Sequence, residues 1–123
     1  KTRKDVHVLL SGWRRQYVIE RLSKAKIPHT YIELPDQKTL NELYQTLDLY
    51  PCSARCEGGP QSLIECGLLG VPMVSRNVGI AYQVLDKKSI NDDLSAAEPS
   101  VPNVDAWRLP AGYEPYRRLL QHV

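Results

Sequence analysis

The chain has 123 residues, 42% of them hydrophobic and 24% charged. That is the composition of an ordinary globular domain, and it excludes disorder throughout. A formal net charge of +2 is too small to mark a nucleic-acid or membrane-surface protein by itself, and no apolar run approaches the roughly 18 residues a membrane span needs.

The charge is unevenly placed. Residues 1–26 carry eight Lys and Arg against two acids, and the remainder eight against twelve. Such a basic opening can face phosphates, but a solvated helix face is the simpler account. The three cysteines, Cys52, Cys56 and Cys66, contain no CxxC pair. They predict neither a disulfide framework nor a zinc site, and reduced thiols point to a cytoplasmic protein. No signal-peptide pattern is legible. Met73 is the only methionine, and the chain opens on charged residues just before an apolar run. It therefore reads as a piece of something longer.

In chain order, the run VHVLL at 6–10, closed by Ser11-Gly12, predicts a buried strand over 6–11 and a turn. Trp13, Tyr17, Val18, Leu22 and Ala25 recur on one helical face, and Pro28 ends that helix. A second strand is expected over 29–34. Asp36 is a candidate N-cap for a helix whose stripe is Leu40, Leu43, Tyr44 and Leu47. A third strand is expected over 48–54, with Pro51 awkward inside it. Gly58-Gly59-Pro60 breaks the chain before a helix to about Leu69, which Gly70 terminates. A fourth strand over 71–76 and a short helix over 80–85 follow. Four prolines, Pro99, Pro102, Pro110 and Pro115, punctuate an aperiodic stretch read as a wrapping tail over 99–123, closed by a short helix. The alternation predicts an α/β domain with a parallel sheet over 1–98.

The chemistry is concentrated in RCEGGPQSLIE at 55–65. It follows a strand and runs into a helix, where open α/β sheets bind ligands. Gly58 and Gly59 allow close backbone approach, and the helix start suits a phosphate. Glu57 and Glu65 are suited to accept hydrogen bonds from sugar or ribose hydroxyls. A competing account makes Ser62 and Glu65 a local capping box. On the pattern alone both stay open.

The segment 50–85 resembles the donor-binding domain of family 4 glycosyltransferases of the GT-B fold. The resemblance rests on an ordered set: EGGPQSLIE at 57–65, which is E-x7-E with a glycine-rich start, then GVP at 70–72 and NVG at 77–79. It implies a Rossmann-like three-layer domain whose first strand would precede Lys1. It also implies a retaining transferase that moves a sugar from a nucleotide-sugar donor to a carbohydrate or other hydroxyl acceptor. Glu57 would face the donor sugar as the catalytic carboxylate. Backbone groups at Gly58, Gly59, Gln61, Ser62 and Leu63 would hold sugar and diphosphate, and Glu65 the ribose. The resemblance implies no metal and no cofactor beyond the donor, no nucleic-acid partner, an acceptor domain outside this chain, and room for a peripheral membrane contact of the parent protein.

There are departures. Pro60 offers no amide, Cys66 and Ile80 replace the family's commoner small residues, and its basic diphosphate-gripping pair would lie upstream. Arg14 and Arg15 follow a strand end and are candidate stand-ins, though a helix-surface position fits them better. The rival reading is a non-catalytic α/β module that binds a nucleotide or mediates assembly. His7, His29 and His122 share no metal-ligand spacing. Cys52 and Cys56 lack an identifiable catalytic partner and read as buried thiols. Trp13, Tyr17 and Tyr44 read as helix–sheet packing.

Overall fold

A computed structural model describes residues 5–121. The chain is α/β and forms two compact units, the first running to Glu42 and the second starting at Leu43. Each holds one two-stranded parallel sheet. The four expected strands form two separate parallel pairs, and each strand is shorter than predicted.

In the first unit, strand β1 (Val8–Ser11) pairs in parallel with β2 (His29–Ile32), and helix α1 (Gln16–Lys24) connects them. The turn after β1 is tighter than the apolar stripe suggested. Gly12 sits at φ +96 and Arg14 at φ +57, so the chain is not helical until Gln16 and Trp13 lies outside the helix. Trp13 and Tyr17 are 59% and 69% exposed. Instead of packing on the sheet, each is covered by a guanidinium: Arg14 lies 4.1 Å from the Trp13 ring centroid and Arg21 5.7 Å from that of Tyr17. Pro28 is not what ends α1. Lys26, at φ +54, is the left-handed residue of a Schellman motif, with Lys26 N–H donating to Ser23 and Ile27 N–H to Leu22. Asp36 is the N-cap expected: its Oδ1 accepts from the Thr39 amide at 2.7 Å as α2 (Gln37–Gln45) begins. That bond holds the Asp36 carboxyl below its ordinary pKa.

The second unit contains every residue of the buried core among those described. Strand β3 (Tyr50–Cys52) pairs with β4 (Met73–Ser75). Tyr50 N–H donates to Pro72, and the Cys52 carbonyl accepts from Arg76. Tyr50 and Cys52 therefore face β4, while Pro51 faces away, where its missing N–H costs the ladder nothing. On its other side β4 forms an antiparallel bridge from Met73 to Ser100 and a parallel one from Ser75 to Ile90. Every residue of β4 is buried, as expected for a strand covered all round.

Helix α3 (Gln61–Leu69) buries Leu63 and Cys66 completely. Gly70, at φ +72, ends it, and Val71 N–H reaches back to the Cys66 carbonyl. Helix α4 (Ala81–Val84) adds Ala81 and Val84 to the same core. The proline-rich stretch is a run of short 3-10 turns that contributes buried Pro102 and Val104 before α5 (Glu114–Leu120). A hydroxyl pair ties its start down. Ser89 Oγ donates to the Glu98 carbonyl at 2.6 Å and accepts from Ser100 Oγ at 2.7 Å.

Gly67 marks the closest approach of α3 to this stretch. A Cβ there would stand 2.5 Å from Val104 Cγ1 and 2.8 Å from the Pro102 carbonyl oxygen. One of those neighbours is backbone and cannot swing aside. Gly67→Ala should therefore destabilise the protein by about 1–3 kcal/mol despite alanine's better helix propensity, the range for overpacking a filled core. Urea denaturation of the variant checks this, and an unchanged or raised midpoint would contradict the packing described.

Candidate functional site

The strands β3 and β4 run parallel, so their carboxyl ends share one side of the sheet. Two loops leave from there. The first carries Arg55, Glu57, Gly58 and Gly59 into α3, and the second carries Arg76, Asn77 and Gly79 into α4. They meet at Gly79. A Cβ on Gly79 would stand 2.9 Å from each of the Gly58 oxygen, the Gly59 nitrogen and Pro60 Cδ, and Gly79 sits at φ +50. Both its conformation and its crowding require glycine. The GVP-to-NVG segment thus serves to back the GGP loop.

Gly58 and Gly59 are different. A Cβ on either would meet nothing within 4 Å, and neither has a positive φ. Neither strain nor internal crowding accounts for them. Glu57, Gly58, Gly59 and Gln61 are all exposed.

Helix α3 starts at Gln61, as the phosphate-cradle reading expected, with Pro60 ahead of it and no side-chain cap. Its first amides, those of Gln61 and Ser62, have no acceptor in a preceding turn and carry the helix's partial positive charge. The Leu63 amide is already used, donating to the Pro60 carbonyl at 3.1 Å, and the Leu63 side chain is fully buried. Leu63 therefore anchors the loop.

The capping-box account fails, because the helix begins before Ser62 and has no side-chain cap hydrogen bond. Ser62 and Glu65, three residues apart, share a face of α3. Tyr44, only 7% exposed, lies near enough to Glu65 for the two to influence each other electrostatically, and Tyr50 lies near Ser62 and Tyr44. The two rings lie 5.7 Å apart at 34°. Burial, with Glu65 adding to it, drives the Tyr44 phenol far above its ordinary pKa, and burial raises that of Tyr50. Tyr44 thus stays protonated. Its place in the packing was legible in the sequence, but its closeness to Glu65 was not. Arg76 was likewise missed, since only the parallel register of β3 and β4 puts its backbone beside the 55–59 loop.

The remaining candidates resolve locally. His7 Nε2 lies 2.9 Å from Thr30 Oγ1, and His29 Nδ1 donates to the Ile27 carbonyl at 2.9 Å. His122 lies outside the described residues. Among the described residues no group of three or more His, Cys, Asp or Glu side chains could hold a metal ion, and no helix is long and apolar enough to cross a membrane. Arg15 Nε donates to the Ser11 carbonyl at 3.1 Å, so Arg15 braces its own turn. All three cysteines are free. Cys56, expected to be buried, is exposed, because the 55–59 loop leaves the core directly after Cys52.

Comparison with protein-family models, with curated proteins and with solved structures finds no match. The likeness to family 4 glycosyltransferases accordingly rests on the residues of 50–85 themselves.

Two outcomes follow for this region. Burial, with Glu65 and Cys52 adding to it, pushes the Cys66 thiol up to about 12, and Cys52 is buried beside it. A thiol reagent at pH 8 should therefore modify one equivalent quickly, at Cys56, and the other two only after denaturation. Gly79→Ala should displace the GGP loop and lower stability by about 1–3 kcal/mol, combining a strained backbone with a new contact. Chemical denaturation measures that loss, and wild-type stability would show that Gly79 does not back the loop.

Proposed function

We propose that this chain is the donor-binding part of a retaining glycosyltransferase, with a Rossmann-like parentage for its α/β fold. The observation that carries the reading is the pair Gly58-Gly59. Nothing among the described residues demands glycine there, whereas a ligand laid against the backbone does. In this reading the exposed amides of Gly58, Gly59, Gln61 and Ser62 face the diphosphate and the sugar bound to it. Glu57, at the lip of the loop, accepts hydrogen bonds from the sugar hydroxyls and steadies the reacting sugar. Glu65, half-buried on α3, accepts from the ribose.

Transfer breaks the bond between the sugar's anomeric carbon and the diphosphate, and negative charge grows on the departing phosphate. The α3 N-terminus is a fixed, oriented counter-charge for it, and Arg55 and Arg76 are the basic residues of the same two loops. An acceptor hydroxyl takes the sugar. The acceptor site belongs to a domain outside this chain, so binding rather than turnover is the property to measure. The free thiols fit a cytoplasmic setting.

The rival, a non-catalytic nucleotide-binding or assembly module, is supported by the closeness of Glu65 to the buried Tyr44 and of Ser62 to Tyr50. Calorimetry with UDP-, GDP- and ADP-sugars separates the two. The transferase reading expects one of them to bind. It expects Glu65→Ala to weaken both nucleotide and nucleotide-sugar by about tenfold, the scale of a hydrogen bond to a charged group. It expects Glu57→Ala to weaken the nucleotide-sugar alone. Equal loss for the bare diphosphate and its sugar conjugate in Glu57→Ala would favour the module. Absence of binding by every nucleotide-sugar would overturn the reading.

A further inference from the structure

We propose that Arg55 and Arg76 form a two-armed clamp for a diphosphate, one guanidinium from each of the two loops at the carboxyl ends of β3 and β4. The inference rests on the donor-binding reading above for its ligand. It goes beyond that reading in placing the diphosphate grip on residues of this chain, whereas the resemblance assigns it to a basic pair upstream.

The arginines among the described residues divide into two sets. Arg14 and Arg21 lie over the rings of Trp13 and Tyr17, and Arg15 donates to the Ser11 carbonyl. Arg108 pairs with Asp105, and Arg117 and Arg118 pair with Glu114. Arg55 and Arg76 make up the other set: among the described residues neither side chain has an ion pair, a hydrogen bond or a ring contact. Arg14 and Arg15, the stand-ins the sequence offers, are thus engaged within their own turn. The guanidiniums left without a partner both belong to the loops of the candidate site.

Backbone contacts fix where these arginines start from. Arg76 N–H donates to the Cys52 carbonyl at 3.2 Å. Its own carbonyl accepts from the buried Ser75 hydroxyl at 2.7 Å and from the Val78 amide at 2.9 Å. Both polar groups of the Arg76 backbone are therefore held, which is the support a binding side chain needs. The second loop is tied to the first at two points, by Arg76 at Cys52, a short way before Arg55, and by Gly79 at Gly58 and Gly59. The two loops run together, each with its arginine near the strand it leaves.

A guanidinium stays charged and offers five donors in a planar fork, which matches phosphate oxygens two at a time. Arg76 is half-buried, so a counter-charge brought to it gains more than at an open surface. Glu57 is the one carboxylate of these loops; it is exposed, and among the described residues it forms no ion pair with either arginine. Cations on two separate loops suit an anion with two charged groups. Each phosphoryl of a diphosphate takes one guanidinium, while a single phosphate engages one at a time.

The test is calorimetry on the full chain, without added metal and at low ionic strength, with inorganic pyrophosphate and orthophosphate as probes. The variants are Arg55→Gln, Arg76→Gln and Arg76→Lys. Arg108→Gln removes the same charge from a residue paired with Asp105 and serves as the control. Wild type should bind pyrophosphate about tenfold or more tighter than orthophosphate. Either glutamine variant should weaken pyrophosphate by about tenfold, the scale of a hydrogen bond to a charged group, and bring that ratio below about threefold. Arg76→Lys should also lose affinity, since it keeps the charge but not the fork. It is read in place of Arg76→Gln if circular dichroism shows the latter to be unfolded. Arg108→Gln should match wild type for both probes.

Pyrophosphate affinity unchanged in either arginine variant, or lost equally in Arg108→Gln, would overturn the clamp, as would failure of wild type to bind pyrophosphate. The donor-binding reading is separate: it stands after any of these results if a nucleotide-sugar binds the wild-type chain. Arginine-dependent binding of pyrophosphate, with no nucleotide-sugar bound, would support the clamp and overturn that reading.

Discussion

Strand β4 is the member on which the second unit depends. It is three residues long, Met73–Ser75, yet it has backbone partners on both sides: β3 on one, Ile90 and Ser100 on the other. Its side chains are all buried, and it packs against the 3-10 turn at Lys87–Ser89. A strand so short can be stable only because neither of its rows of polar groups is left to water, and because each of its residues is buried. That saturation draws the proline-rich stretch into the core. It also fixes the exit point of the 76–79 loop, and through Gly79 the position of the glycines at 58 and 59. The candidate site therefore inherits its geometry from the backbone of β4 more than from any side chain in it.

The sequence made the order of elements legible because short-range physics governs it. Alternation and apolar runs mark β1 to β4. Asp36 caps α2 through its own side chain, and Gly70 has the left-handed conformation that glycine is suited to. What the sequence concealed depends on contacts between distant residues. The stripe from Trp13 to Ala25 has helical spacing, but Gly12 and Arg14 adopt positive φ and delay the helix to Gln16. The aromatic rings are then left outside, where arginines cover them. Cation–π contact is invisible to a periodicity argument, since it satisfies a ring without burying it. Which strands share a ladder is likewise not carried by their spacing along the chain.

At the site, the E-x7-E spacing identified which residues to consider but not how they are held. Ser62-x-x-Glu65 matches a capping box letter for letter, and only the start of α3 at Gln61 removes that account. Tyr44 looked like a packing residue, which it is, but its ring contact with Tyr50 depends on a juxtaposition of α2 and β3 that spacing along the chain does not carry. The two glycines at 58 and 59 and the one at 79 are the same residue type for opposite reasons: openness in one case, crowding and a positive φ in the other.

Pro51 has a meaning beyond its fit in the ladder. In a parallel strand of three residues, only the middle one turns its backbone N–H away from the paired neighbour, and in β3 that residue has no N–H to offer. The outward rim of β3 therefore lacks the single donor with which it could recruit another extended chain. Intermolecular strand addition along this rim would begin with a missing hydrogen bond and a pyrrolidine ring in the way. A residue that looks like a defect in the sheet is thus a guard against self-association, placed where the unit would be most open to it.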